Sequence, residues 1–130
     1  METTTSGLRV LVAEDTLSTA FTLRKMLEKL GHTVEVVLNG LAAVDVLCDF
    51  RPQVVILDIG MPGMDGYEVT RRIRLEPGYQ AVPIMVVSSR GAADDIALAR
   101  EAGVDQYLIK PIDSTQLAAA LQVLAADRIH

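Results

Sequence analysis

Gln53-Val-Val-Ile-Leu-Asp-Ile-Gly-Met-Pro-Gly-Met-Asp-Gly66 is the stretch on which the fold turns. Its first five residues read as a strand buried on both faces, because Val54 to Leu57 are an apolar and mostly β-branched run. The run ends on a charge, Asp58. A loop rich in Gly and Pro follows from Ile59 to Gly66, and Tyr67 to Leu75 has helical spacing closed by Pro77-Gly78. Apolar strand, acid, loop and helix together make one unit of a parallel α/β sheet.

The same unit recurs on both sides. Leu8 to Ala13 is an apolar strand run that stops at Glu14 and Asp15. From Thr16 to Leu30 the spacing is helical, with Thr19, Ala20, Leu23, Met26, Leu27 and Leu30 on one face and Gly31 as a C-cap. Thr33 to Val37 alternates, as a less buried strand does. Asn39-Gly40 reads as a turn and Leu41 to Phe50 as a helix. Pro83 to Val87 is a further strand, Ala92 to Ala102 a helix with Gly103 beyond it, and Gln106 to Ile109 a short strand before Lys110-Pro111. Ser114 to Ala126 closes the chain as a helix, with Asp113 as its N-cap. Five strand–helix units without an internal repeat predict a parallel sheet covered by helices on both faces, with right-handed crossovers. The chain reads as one domain over 1–130, with a core of about 8–126 and loose tails at 1–6 and 128–130.

Composition excludes several classes. A domain of 130 residues buries roughly two-thirds of its chain surface, enough for a core without disulfides. Twelve Lys and Arg against 17 Asp and Glu leave a net charge of −5, a poor basis for direct nucleic-acid binding. The one cysteine, Cys48, excludes an internal disulfide and a Cys-rich zinc site. No apolar run approaches the ~20 residues of a membrane helix, and the polar start METTTSG is not a secretory signal. The expectation is a cytoplasmic protein with no membrane contact.

Ligands of an open parallel sheet bind beyond the carboxyl ends of its strands. Glu14 and Asp15 follow the first strand, Asp58 the third, Ser88 and Ser89 the fourth, and Lys110 the fifth. Each alone has an ordinary reading as a cap or loop residue; together they form one chemical set on one rim. Crowded carboxylates must protonate or recruit a cation. A few hard oxygen ligands suit Mg²⁺ with retained waters, leaving positions open to a phosphate, with Mn²⁺ as a substitute. Lys110 adds positive charge and Ser88 a hydroxyl. That is a phosphoryl-transfer site, with the Asp58 carboxylate as nucleophile.

These residues resemble the receiver domain of two-component response regulators. The matching pieces are Leu11-Val-Ala-Glu-Asp15, Leu57 to Gly66, Pro83-Ile-Met-Val-Val-Ser88 and Tyr107-Leu-Ile-Lys-Pro111, within a likeness that spans about residues 8–126. The resemblance implies a flavodoxin-like (βα)5 three-layer sandwich with sheet order 2-1-3-4-5. It implies Asp58 as phosphoacceptor, Asp15 as direct Mg²⁺ ligand, Glu14 holding a metal-bound water, and the Gly60 carbonyl as backbone ligand. Lys110 would contact the phosphoryl group, with Ser89 beside it and a cis bond to Pro111. Ser88 and Tyr107 match the switch pair, and Gly60 and Arg90 occupy positions that modulate water access to the acyl phosphate.

The implied partners are a histidine kinase or histidine phosphotransfer protein, an output partner of unknown identity, and a second copy in a phosphorylation-dependent homodimer. Leu17 and Phe21 lie off the buried face of the first helix and are the docking candidates. Ala119, Gln122, Val123 and Ala126 form an almost uncharged outer face on the last helix and are the output candidates. Such a module is a switch with intrinsic phosphorylation and dephosphorylation, not a turnover enzyme. It would be either a stand-alone regulator or a receiver excised from a hybrid histidine kinase. A haloacid-dehalogenase-like phosphatase wants a second acid where Gly60 stands, and a dinucleotide-binding turn wants glycines where Glu14-Asp-Thr stands. The remaining alternative, a degenerate receiver acting as a scaffold, normally lacks one of the acids or the lysine.

Overall fold

The computed structural model describes residues 7–127, and side chains as far as Leu124. The expected tails and the side chain of Ala126 lie outside that range. The elements run β1 (Arg9–Ala13), α1 (Leu17–Lys29), β2 (Thr33–Val37), α2 (Gly40–Asp45), α3 (Leu47–Phe50), β3 (Val54–Leu57), α4 (Gly66–Leu75), β4 (Ile84–Ser88), α5 (Ala93–Ala102), β5 (Gln106–Ile109) and α6 (Ser114–Asp127). All strand pairs are parallel, in the order β2-β1-β3-β4-β5.

Alternation along the strands splits the core in two. Leu11, Val55, Leu57, Ile84 and Val86 point to one face, where α2, α3, α4 and α5 supply Ala43, Leu47, Val69, Ile73 and Ala99. Val10, Val12, Val54, Ile56 and Met85 point to the other, covered by Leu23 and Leu27 of α1 and by Leu117, Leu121 and Leu124 of α6. The three central strands are buried throughout except Arg9, and β2 at the edge is only partly buried, as its alternation predicts.

Two local readings need correction. The helix expected over Leu41 to Phe50 is broken at Val46, where the backbone rests at φ −90°, ψ −6°. Ala43, Leu47 and Phe50 stay buried across the break, so the apolar stripe survives the change of path. Asn39-Gly40 is a helix start instead of a free turn. The Asn39 side chain caps Ala42 N–H at 2.8 Å, and Gly40 is buried against α4. A Cβ on Gly40 would lie 2.5 Å from the Met64 carbonyl oxygen and from Val69 Cγ2. The Asp113 cap is present as a reciprocal box with Gln116, at 2.8 and 3.0 Å.

The amino ends of the strands are tied by cations. Arg9 donates to the Phe50 carbonyl and stacks 4.3 Å over the Phe50 ring. Arg74, at the end of α4, donates to the carbonyls of Gly103 (2.7 Å), Val82 (2.7 Å) and Tyr79 (3.3 Å) and to Asp105 Oδ2 (3.0 Å). The same Asp105 oxygen accepts from Ile84 N–H at 2.9 Å. His32 is buried at the start of β2, its Nδ1 accepting from Leu8 N–H at 3.1 Å.

Candidate functional site

Sheet hydrogen bonds continue one residue past three strands and place the ionisable side chains. Glu14 N–H donates to the Val37 carbonyl (3.1 Å), Asp58 N–H to Ala13 (3.1 Å) and Lys110 N–H to Ser88 (2.9 Å). Each side chain therefore leaves a fixed backbone.

Glu14 is only 1% exposed. Its Oε1 accepts from Lys110 Nζ at 2.8 Å and its Oε2 from Thr16 N–H at 3.1 Å. The same ammonium lies 3.6 Å from Asp58 Oδ2, and Asp58 Oδ1 accepts from Gly60 N–H at 3.2 Å. Asp15 is exposed beside them, and one carboxylate oxygen from each of Glu14, Asp15 and Asp58 lies within 4.8 Å of the others. Burial pushes the Glu14 carboxyl above its usual range; Lys110 and Thr16 pull it back, and Asp58 adds to the rise. Burial works against the Lys110 ammonium, but its bond to Glu14 and the field of Asp58 outweigh that and hold its proton above the usual range. When ionised, three carboxylates against one ammonium leave two negative charges uncompensated. That donor set, three hard oxygens and a double charge, fits Mg²⁺.

The fourth strand brings the hydroxyl. Ser88 is buried, and its Oγ accepts from Arg90 N–H at 3.1 Å. Ser89, next along, is exposed and has no hydrogen bond among the described residues. The Tyr107 hydroxyl donates to the Arg90 carbonyl. Burial pushes that phenol upward, while the neighbouring Ser88 hydroxyl works the other way. A Cβ built on Gly60 would sit 3.7 Å from Arg90 Nη2, so the guanidinium lies over the glycine beside Asp58. Gly66 closes the loop from below: a Cβ there would lie 2.8 Å from the Asp58 carbonyl oxygen and from Ile59 Cα. The Lys110–Pro111 bond is cis.

Residues 10–122 match the model of the response regulator receiver domain. The chain belongs to that family. Protein PilG of Pseudomonas aeruginosa is 32% identical over 122 residues, covering 94% of this receiver and 90% of PilG. The transcriptional regulatory protein TcrA of Mycobacterium tuberculosis is 36% identical over 92% of the receiver, which spans about half, 47%, of TcrA. Among solved structures, the receiver domain of a sensor histidine kinase from Pseudomonas aeruginosa superposes with a TM-score of 0.86 at 30% identity, over 93% of this receiver and 99% of that chain. That structure holds a magnesium ion in its active-site cleft. Chemotaxis protein CheY4 of Vibrio cholerae gives a TM-score of 0.87 at 25% identity, over 92% and 99%.

A receiver domain is a phosphoacceptor switch of two-component signalling, working with histidine kinases or phosphotransfer proteins, and not a turnover enzyme. The acid cluster fits the phosphoacceptor site. No acid and no lysine is missing from it, so the degenerate-scaffold alternative is not favoured. Among the described residues no helix is long and apolar enough to cross a membrane.

The docking candidates of this receiver are exposed, and so are the output candidates among the described side chains. Leu17 and Phe21 are 53% and 52% exposed on α1. Ala119, Gln122 and Val123 face outward on α6, opposite the buried Leu117, Leu121 and Leu124. Sequence reasoning missed two further exposed apolar residues on the β5 side, Leu98 on α5 and Ile109 on β5. It also missed Tyr67, whose hydroxyl donates to Asp95 across α4 and α5. Leu98 breaks the otherwise small or charged outer surface of α5, a signal available in the sequence; the Tyr67 pairing leaves none.

Proposed function

We propose that Asp58 accepts a phosphoryl group from a histidine kinase or histidine phosphotransfer protein in a Mg²⁺-dependent reaction, and that the adduct alters a partner-binding surface. The observation that carries this reading is the convergence of Glu14, Asp15 and Asp58 at the carboxyl ends of the sheet, with the Lys110 ammonium against Glu14 and Asp58. Asp15, Asp58, the Gly60 carbonyl and, through water, Glu14 would hold the ion, which supplies charge neutralisation at the phosphoryl oxygens. An Asp58 carboxylate oxygen attacks phosphorus, the phosphorus–nitrogen bond to the donor imidazole breaks, and an acyl phosphate forms. The same chemistry with a small phosphodonor is the intrinsic phosphorylation, and attack of water on the acyl phosphate is the intrinsic dephosphorylation. Lys110, already charged, pairs with the transferred group. Ser88 donates its hydroxyl to a phosphoryl oxygen, with Ser89 at the mouth of the site.

That move draws the Ser88 Oγ from Arg90 N–H and loosens the loop on which Tyr107 rests. Arg90, lying over Gly60, screens the acyl phosphate from water. Leu17 and Phe21 serve the donor; an open groove of about 250 Å³ between α1 and the segment after β5, lined in part by Thr22, Met26, Lys110 and Ile112, extends that side of the site. Ala119, Gln122 and Val123 serve an output partner or a second copy. Residues 8–126 form the switching unit, in the cytoplasm, whether alone or within a longer kinase.

The test is intact-mass analysis with acetyl phosphate and, separately, with a phosphorylated phosphotransfer protein. We expect one hydroxylamine-labile phosphoryl group that needs Mg²⁺ and is absent from Asp58→Asn. Phe21→Ala should slow only the protein donor, and Val123→Glu should keep the labelling but lose association measured by light scattering. Equal labelling of Asp58→Asn would sink the reading.

A further inference from the structure

Helix α5 is attached unequally along its length. It buries only the small side chains of Ala99 and Ala102, both in its second half. Ala93, Asp94, Ala97 and Leu98 are exposed, and Asp95 and Ile96 are half-buried. Two alanines remove little apolar area from water, so burial barely holds the first half of this helix. Its far end is fastened: Gly103 N–H and Val104 N–H bond the Ala99 carbonyl at 3.1 and 3.0 Å, Val104 is buried, and Arg74 donates to the Gly103 carbonyl.

The near end has no side-chain cap. Ala92 stands at the N-cap position, where Asn39, Asp65 and Asp113 serve α2, α4 and α6. The tie across to the body is a phenol. Tyr67, on α4, places its hydroxyl 3.2 Å from the Asp95 carbonyl oxygen and 3.3 Å from Asp95 Oδ1. Burial and the Asp95 charge push that phenol upward, so it remains a proton donor at neutral pH.

We infer that the Tyr67–Asp95 bond is a latch that seats the first half of α5 while Asp58 is unmodified, and that on release α5 swings about its Arg74-bound end. What releases it rests on the phosphoacceptor reading, because Ser88 and Tyr107, which hold Arg90 just before α5, are the groups that a phosphoryl on Asp58 would redirect. A bond made in one state and absent in the other biases the equilibrium by its own net strength, about fivefold.

Amide hydrogen exchange of the unphosphorylated chain reads the latch directly. In Tyr67→Phe the amides of Ile96, Ala97 and Leu98 should exchange about fivefold faster, with Val104, Asp105 and β3 unchanged. Asp95→Ala keeps the carbonyl acceptor and should show a smaller change at the same amides. Beryllofluoride with Mg²⁺ should half-saturate Tyr67→Phe at about fivefold lower concentration than the parent chain. Unchanged exchange in α5, equal acceleration in β3, or an unshifted beryllofluoride midpoint overturns the latch. If the parent chain does not respond to beryllofluoride while α5 of Tyr67→Phe still exchanges faster, the latch stands and the Asp58 reading falls.

Discussion

At the carboxyl ends of the strands three carboxylates crowd together and two of them share one ammonium; at the amino ends one guanidinium meets three carbonyls and a carboxylate. Both clusters join several elements, yet their electrostatics are opposite. Around Arg74 a single cation is surrounded by acceptors, and Asp105 spends the same oxygen on Ile84 N–H. Around Asp58 like charges are held together, and one of them, Glu14, is buried. A saturated cluster contributes stability, whereas a crowded one holds a repulsion that a bound cation relieves. The comparison separates the end that holds the fold together from the end that carries the chemistry.

The largest effect should come from the first cluster. Arg74→Ala strands the carbonyls of Gly103, Tyr79 and Val82 and should lower unfolding free energy by about 3 kcal/mol, measured in urea. The folded fraction should still label at Asp58. A loss below about 1 kcal/mol would mean that water replaces the guanidinium at little cost.

Next is a change of opposite sign at the other end. Asp58→Asn removes one of three crowded charges and should raise stability by about 1 kcal/mol in EDTA. In Mg²⁺ at a hundred times its dissociation constant the parent chain should gain about 2.7 kcal/mol. The variant should gain much less, reversing their order. Destabilisation by Asp58→Asn in EDTA would refute the crowding.

Titration gives the smallest effect and again divides the two ends. Burial holds the His32 imidazole below its usual pKa of 6.5, so the unfolded chain takes up the proton first and stability falls as pH drops through 6.5. The Glu14 carboxyl is raised above 4.5, so the folded chain takes up the proton first, and stability recovers as pH falls toward 4.5. Urea midpoints should fall less steeply in His32→Asn as pH drops below 6.5, and should recover less in Glu14→Gln as pH drops toward 4.5. Identical slopes in all three chains would leave neither group in control.

The rim was legible because parallel topology sends the carboxyl end of every strand to the same side. Glu14, Asp15, Asp58, Ser88 and Lys110 needed only their positions after apolar runs to be placed together. The Arg74 cluster was not legible, since an arginine in the last turn of a helix ordinarily reads as solvated, and its acceptors are backbone carbonyls that carry no sequence signature. The Tyr67–Asp95 bond joins two helices by a choice of rotamer that periodicity does not encode. Asn39-Gly40 was misread for another reason. The pair signals a turn locally, but what requires glycine at position 40 is the approach of Met64 and Val69, contacts that exist only after the sheet has formed. The path of the chain at Val46 likewise follows from packing, as both halves of the broken helix keep one apolar stripe.

Gly40 and Gly66 have a consequence for anyone wishing to re-engineer this site. The loop between β3 and α4 looks like free ground for a library: it is short, Pro62 and Gly63 are exposed, and it lies beside the chemistry. Yet its two flanks are set by atoms that are not there. A single methyl group at position 66 would meet the Asp58 carbonyl, and one at position 40 would meet that of Met64. Variation at position 62 should therefore be tolerated; at position 63 the space is open, but a φ of 78° strains any side chain. A library that also randomises Gly40 or Gly66 should lose most of its members before any selection for partner choice begins.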